Sequence, residues 1–122
     1  MNSSDQWVSW VIEASVKPED LDSISSLMTE MSEDFMENEP NTLNFEWSID
    51  STSTLLHLHE RYGDSDTAIN HMKTFGAKYG ERFMSLISPQ RVVVYGHPSE
   101  SLSNDLQALS PISLNYLGGF TR

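Results

Sequence analysis

The chain predicts an α+β protein with a ferredoxin-like, split β-α-β plan. Two observations predict it. Hydrophobic periodicity alternates between two and about 3.6 residues in the order strand, helix, strand, strand, helix, strand. Between the two middle strands lies only a short polar stretch, Asp50-Ser51-Thr52-Ser53, which reads as a hairpin connection and makes those strands antiparallel. Such an order gives a four-stranded antiparallel sheet with both helices on one face.

Residues 1–6, MNSSDQ, are polar and expected to be loose. Trp7 to Val16 alternates as a strand, with Val8, Trp10, Ile12, Ala14 and Val16 on one face. Lys17-Pro18 ends it, and Pro18 suits the first turn of a helix. Glu19, Asp20 and Asp22 follow, where the positive end of the helix dipole favours acids. Leu21, Ile24, Met28, Met31 and Phe35 predict the buried stripe of that helix, with Leu27 beside them; Met28, Met31 and Met36 are read as core filling. Pro40 disfavours helical geometry at Glu39 and sets the stop near Asn38.

Thr42 to Ile49 reads as the second strand, with Leu43, Phe45, Trp47 and Ile49 on one face, and Thr54 to Tyr62 as the third. In the third, Leu56, Leu58, Glu60 and Tyr62 share one face, and Leu55, His57, His59 and Arg61 the other. Gly63-Asp64-Ser65 turns the chain, and Asp64 or Ser65 can cap the next helix. That helix aligns Ala68, His71, Met72, Phe75 and Tyr79, with a break expected around Gly76 and Gly80 before Phe83, Leu86 and Ile87. Pro89 closes the segment, and Arg91 to Gly96 is the fourth strand. Residues 7–96 thus form the domain. Residues 97–122 are a helix-strand extension, with Leu102, Leu106 and Leu109 in line, then Ile112, Leu114 and Tyr116 alternating. It is expected to pack on the domain or on a partner subunit. The outer sheet face, with Val11, His57, Val93 and Tyr95, is partly apolar, which predicts a homodimer through that face.

At 122 residues the chain is the size of one domain. Its net charge of −11 lies in the first 50 residues, where twelve acids face only Lys17. Such a surface repels phosphate backbones and anionic lipid, so neither nucleic acid nor membrane is an expected partner. The acidic run from Glu19 to Glu39 reads as a solvated helix face. The absence of cysteine excludes disulfides, zinc-thiolate sites, Fe–S clusters and thiol nucleophiles. No run is apolar enough to span a bilayer, and the start lacks signal-peptide character, so a cytoplasmic protein is expected.

The candidate chemistry lies between Leu55 and Phe75. Glu60 and Tyr62 point toward the helices, and His71 sits inside the apolar stripe of the second helix. That is also how a structural histidine looks when a carboxylate such as Glu60 satisfies it. His57 and His59 point the other way. A metal there would need a third ligand, with Glu46 the candidate, and two histidines alone make a weak site. No metal is expected.

Glu60-Arg61-Tyr62, followed by Asp64, Ala68 and His71, resembles the pattern of the antibiotic biosynthesis monooxygenase family of dimeric α/β barrels. Phe75 and Phe83, Lys17-Pro18, and Glu39-Pro40 before Phe45-Glu46-Trp47 are similar to that family too. The resemblance covers residues 7–96. It implies a dimeric α/β barrel and a pocket bounded by Glu60, Tyr62 and His71. It further implies a monooxygenase that oxidises a small aromatic hydroxyl compound, of quinol or anthrone type, without metal or flavin. On that reading His71 is the base, Tyr62 positions the substrate oxygen, Glu60 belongs to the catalytic set, and Trp10, Trp47, Phe75 and Phe83 bind the ring. A cofactor-free oxygenase needs a water-poor cavity, a base near neutral pKa and donors for the substrate oxygen. The haem-degrading branch uses an asparagine in the first strand and a tryptophan at the end of the third. Here residues 7–16 contain no Asn and the aromatic is Tyr62, so haem cleavage is not expected. The competing function is a non-catalytic dimeric module that binds a small ligand or a protein.

Overall fold

A computed structural model describes residues 6–122; the polar start expected to be loose lies, apart from Gln6, outside the described residues. The elements are β1 (Val8–Ser15), a 3-10 turn (Pro18–Asp20), α1 (Leu21–Asn38), β2 (Thr42–Ile49), β3 (Leu55–Tyr62), α2 (Ser65–Lys78), α3 (Gly80–Leu86), β4 (Ser88–Gly96), α4 (Glu100–Leu106), a second 3-10 turn (Gln107–Leu109) and β5 (Ile112–Ser113). They form one sheet in the order β2-β3-β1-β4-β5. The first four strands pair antiparallel, as the split β-α-β plan requires, and β5 adds a short parallel edge beside β4.

Register carries the sequence periodicity into three dimensions. Trp10 pairs with Glu60, and Glu60 with Phe45, so these three side chains stand in one row on the helix-covered face. One row along, Ile12 pairs with Leu58 and Leu58 with Trp47. β4 begins at Ser88, earlier than the alternation from Arg91 suggests. Pro89 is accommodated because the β1/β4 register shifts between Glu13 and Ala14, where a residue without an N–H can sit.

The buried stripe of α1 is Ile24, Leu27, Met31 and Phe35. This corrects the expected stripe: Leu21 and Met28 flank it, and Leu27 lies at its centre. The methionines divide, with Met31 fully buried and Met36 exposed. The helix break falls at Tyr79, whose backbone leaves helical geometry, while Gly76 stays inside α2. Two core clusters result. One joins α1 and α3 to the sheet through Leu27, Phe35, Leu58 and Phe83. The other joins α2 and α4 to it through Trp10, Tyr62, Ala68, Leu102 and Leu106.

The second cluster gives the C-terminal extension its place. Gly96 has φ +93 where the chain passes against Trp7, a conformation that disfavours any side chain. Ser99 then caps α4 by accepting from the Leu102 N–H, and its own N–H donates to Ser65 Oγ at the start of α2. Leu102 and Leu106 are buried against the domain, whereas Leu114, Tyr116 and Leu117 are exposed. The expected alternating strand shrinks to Ile112–Ser113, followed by one more bond from the Leu114 N–H to Val94.

No helix among the described residues is long and apolar enough to cross a membrane. Leu102 is fully buried, so Leu102→Ala is expected to lower stability by about 2–4 kcal/mol, read as a fall in the urea midpoint with unchanged slope. A change under about 0.5 kcal/mol would show that α4 does not belong to the folding unit.

Candidate functional site

The site lies where the two clusters meet. A cavity of about 170 Å³ opens between the sheet and the helices, with Met31, Phe45, Phe75, Phe83 and Val92 among its walls. Of the lining residues, only Trp10, Glu60 and His71 carry side-chain nitrogen or oxygen. Met84, Pro89 and Leu109 also line it; all three side chains are exposed, so the opening lies on their side. Leu109 comes from the extension beyond residue 97.

His71 is placed by the start of α2. Asp64 caps the helix through its Oδ1, which accepts from the Thr67 N–H at 2.8 Å, and this bond holds the Asp64 carboxyl below its ordinary pKa. Asn41 ties that cap to the start of β2 by donating to Asp64 and to Thr67. From this anchor Ser65, Ala68 and His71 fall on the buried face. Phe35, Phe45 and Tyr62 close around the imidazole, with ring centroids 4.4, 5.7 and 5.1 Å away.

Both imidazole nitrogens face carboxyl oxygens. Nε2 is 3.1 Å from Glu60 Oε1, and Nδ1 is 2.9 Å from Glu39 Oε1. A neutral imidazole has one N–H and can donate to only one of them; the imidazolium donates to both. Burial opposes that charge, but the hydrogen bonds and charges of Glu60 and Glu39 outweigh it, so the His71 pKa is raised above its ordinary 6.5. Glu60 is 4% exposed and is held from two further sides. The Trp10 indole donates to Oε2 at 2.7 Å, and the Tyr62 hydroxyl donates to Oε1. Burial first, and then the Glu60 charge, push the Tyr62 pKa well above 10. Glu39 is oriented in turn by Thr42, whose hydroxyl donates to the same Oε1 at 2.8 Å.

Glu60, Tyr62 and His71 therefore come together as one hydrogen-bonded group, and Trp10, Phe75 and Phe83 line the cavity beside it. Two residues stand elsewhere than their expected roles require. Tyr62 is fully buried and faces Glu60 rather than the cavity. Trp47 lies outside the cavity wall, edge-on to Phe45 and Phe83. Glu39 is the member that sequence reasoning missed. Its sequence context marks only the end of a helix, and nothing local in Glu39-Pro40 points to a histidine 32 residues away. His57 and His59 lie on the outer face, where His57 Nε2 is 3.4 Å from Glu13 Oε1. Among the described residues, no group of three or more His, Asp or Glu side chains is arranged to hold a metal ion.

No family model and no curated protein matches the sequence. Solved structures do match the fold. MupZ from Pseudomonas fluorescens superposes with a TM-score of 0.83 at 22% identity, over 96% of this chain and 95% of that one. A proposed antibiotic biosynthesis monooxygenase from Nitrosomonas europaea gives a TM-score of 0.66 at 19% identity, over 79% of this chain and 94% of that one. Another, from Bacteroides thetaiotaomicron, gives 0.63 at 19%, over 75% and 87%. The chain has the α+β fold of the antibiotic biosynthesis monooxygenase-type proteins.

Proposed function

We infer that the cavity takes a small aromatic hydroxyl compound and that the Glu60–His71 couple removes its proton, so that the anion reacts with O₂ as in a cofactor-independent monooxygenase. One observation carries this reading: a carboxyl–imidazole pair, 3.1 Å apart, is set into the wall of an otherwise apolar cavity. In such surroundings a proton acceptor is poorly hydrated, and a planar ring finds aromatic partners in Phe75 and Phe83.

The cavity size narrows the substrate. An engineered apolar cavity of about 150 Å³ holds benzene. The 170 Å³ here suits one ring, with any substituent leaving past Met84 and Leu109, better than a three-ring anthrone. For a phenol with a free para carbon the reaction balances as phenol plus O₂ giving quinone plus water. One oxygen atom bonds to the para carbon; the para C–H and the O–O bonds then break, and the second oxygen leaves as hydroxide carrying the para hydrogen. The substrate supplies all four electrons, so no external reductant enters. The couple accepts the phenolic proton first and returns a proton to the departing hydroxide. Tyr62 and Trp10 act as positioning residues that fix the Glu60 carboxyl.

The outer sheet face bears the half-buried Val11 and the half-exposed Tyr95 and Ile112, while Val93, expected on that open face, is already buried beside β5; we assign the face to a second copy of the chain. A non-catalytic binding site is the second reading. It is favoured by the fact that Glu60 already accepts from Trp10 and Tyr62 and faces His71 at 3.1 Å, as a structural carboxyl would.

Purified protein given a monocyclic quinol or phenol is expected to consume O₂ above the buffer rate, and Glu60→Gln to reduce kcat/KM by about 10²–10⁴-fold. Saturable binding without O₂ uptake would select the second reading. Because the His71 pKa is raised, the couple gives up its resting proton only as pH climbs past that value. The rate is therefore expected to rise with pH with a midpoint above 6.5; a flat profile, or a midpoint below 6.5, contradicts the assignment. Light scattering at micromolar concentration is expected to give twice the chain mass, and a monomer would remove the argument from the outer face.

A further inference from the structure

We propose that Glu60, His71 and Glu39 form a proton relay that links the apolar cavity to solvent at the C-terminal end of α1. The proposal rests on the cavity being a reaction site and adds a route by which protons enter and leave it.

Glu60 and His71 are both buried, so any proton that the couple exchanges with solvent between accepting the phenolic proton and returning one needs such a route. Beyond Glu60, the other groups at the site do not provide one. Trp10 Nε1 is a donor only, and the buried Tyr62 hydroxyl is hydrogen-bonded to Glu60. His71 does continue the line. Its two nitrogens point in different directions, 3.1 Å to Glu60 and 2.9 Å to Glu39, so the ring can take a proton on one side and release one on the other. Exposure rises along the line in the needed sense: the side chains of Glu60 and His71 are each 4% exposed and that of Glu39 is 14%. Phe35, Phe45 and Tyr62 pack around the ring and leave water little direct access to it. Glu39 is held for the task at both ends. Its N–H is bonded to the Phe35 carbonyl, and its Oε1 accepts from Thr42.

The proton balance closes. For each proton that the Glu60–His71 couple accepts from the cavity, one passes from Nδ1 to Glu39 and on to water. When the departing hydroxide is protonated, the same line runs backward and restores the starting tautomer. Glu39 never touches the substrate; it acts through His71.

The test needs no substrate, so it can fail independently of the oxygenase reading. In ¹⁵N-labelled protein, exchange of the His71 ring N–H protons with water is compared between the wild type and Glu39→Gln. The amide of the variant keeps an acceptor for Nδ1 but carries no proton onward. Exchange is expected to slow by about tenfold or more, and to recover when millimolar formate is added as a mobile carboxylate. Unchanged exchange in Glu39→Gln would overturn the relay. So would wild-type exchange as slow as that of the buried backbone amides of β3, which would mean that these protons leave only on unfolding. The second comparison uses the wild type alone and can overturn the relay even if Glu39→Gln does not fold.

Discussion

A histidine held between two carboxyl groups is the interaction on which the rest of the site depends. Neither nitrogen of His71 is left to solvent: one faces Glu60 on β3 and the other Glu39 at the end of α1. Burial in so apolar a region disfavours the charged form of the ring, and the two carboxyl groups more than offset that cost, which raises its pKa. The contact therefore ties three elements together, α1, β3 and α2, and it does so where the two core clusters meet. Removing either acid would leave one imidazole nitrogen, itself buried, without its partner.

Around this contact the fold supplies geometry that none of the three residues has alone. The β1–β3–β2 register puts Trp10, Glu60 and Phe45 in one row, so the indole N–H meets the carboxyl from the side opposite the imidazole. Asp64 starts α2 at a fixed point, and the helical repeat then brings His71 beneath the sheet. The extension contributes Leu109 to the cavity wall and Leu102 to the core beside Tyr62. It is thus continuous with the part of the molecule that shapes the pocket.

The electrostatic arrangement also separates the histidines by task. His71 is enclosed and raised in pKa. His57 and His59 stand on the outer face near Glu13, where solvent reaches them. Period-two alternation along β3 accounts for this division, since residues 57 and 59 fall opposite residues 58, 60 and 62. The acidic surface of α1 runs opposite its buried stripe, so its charge is solvated while Glu39, just past the last turn, is drawn inward to the imidazole.

By itself, the sequence determined the order of elements, the hairpin between the middle strands, the facing of Glu60 and Tyr62 toward the helices and the burial of His71. Each of these follows from local periodicity and from proline, glycine and cap residues, whose effects reach only a few positions along the chain. Only the tertiary structure decided that Glu39 closes on His71, that Tyr62 serves Glu60 rather than the cavity, that Trp47 stands outside the wall and that Leu109 joins it. These depend on how an 18-residue helix ends against a strand and on where a C-terminal helix lands. Both are set by packing between residues far apart in sequence, and no spacing within a single element encodes them.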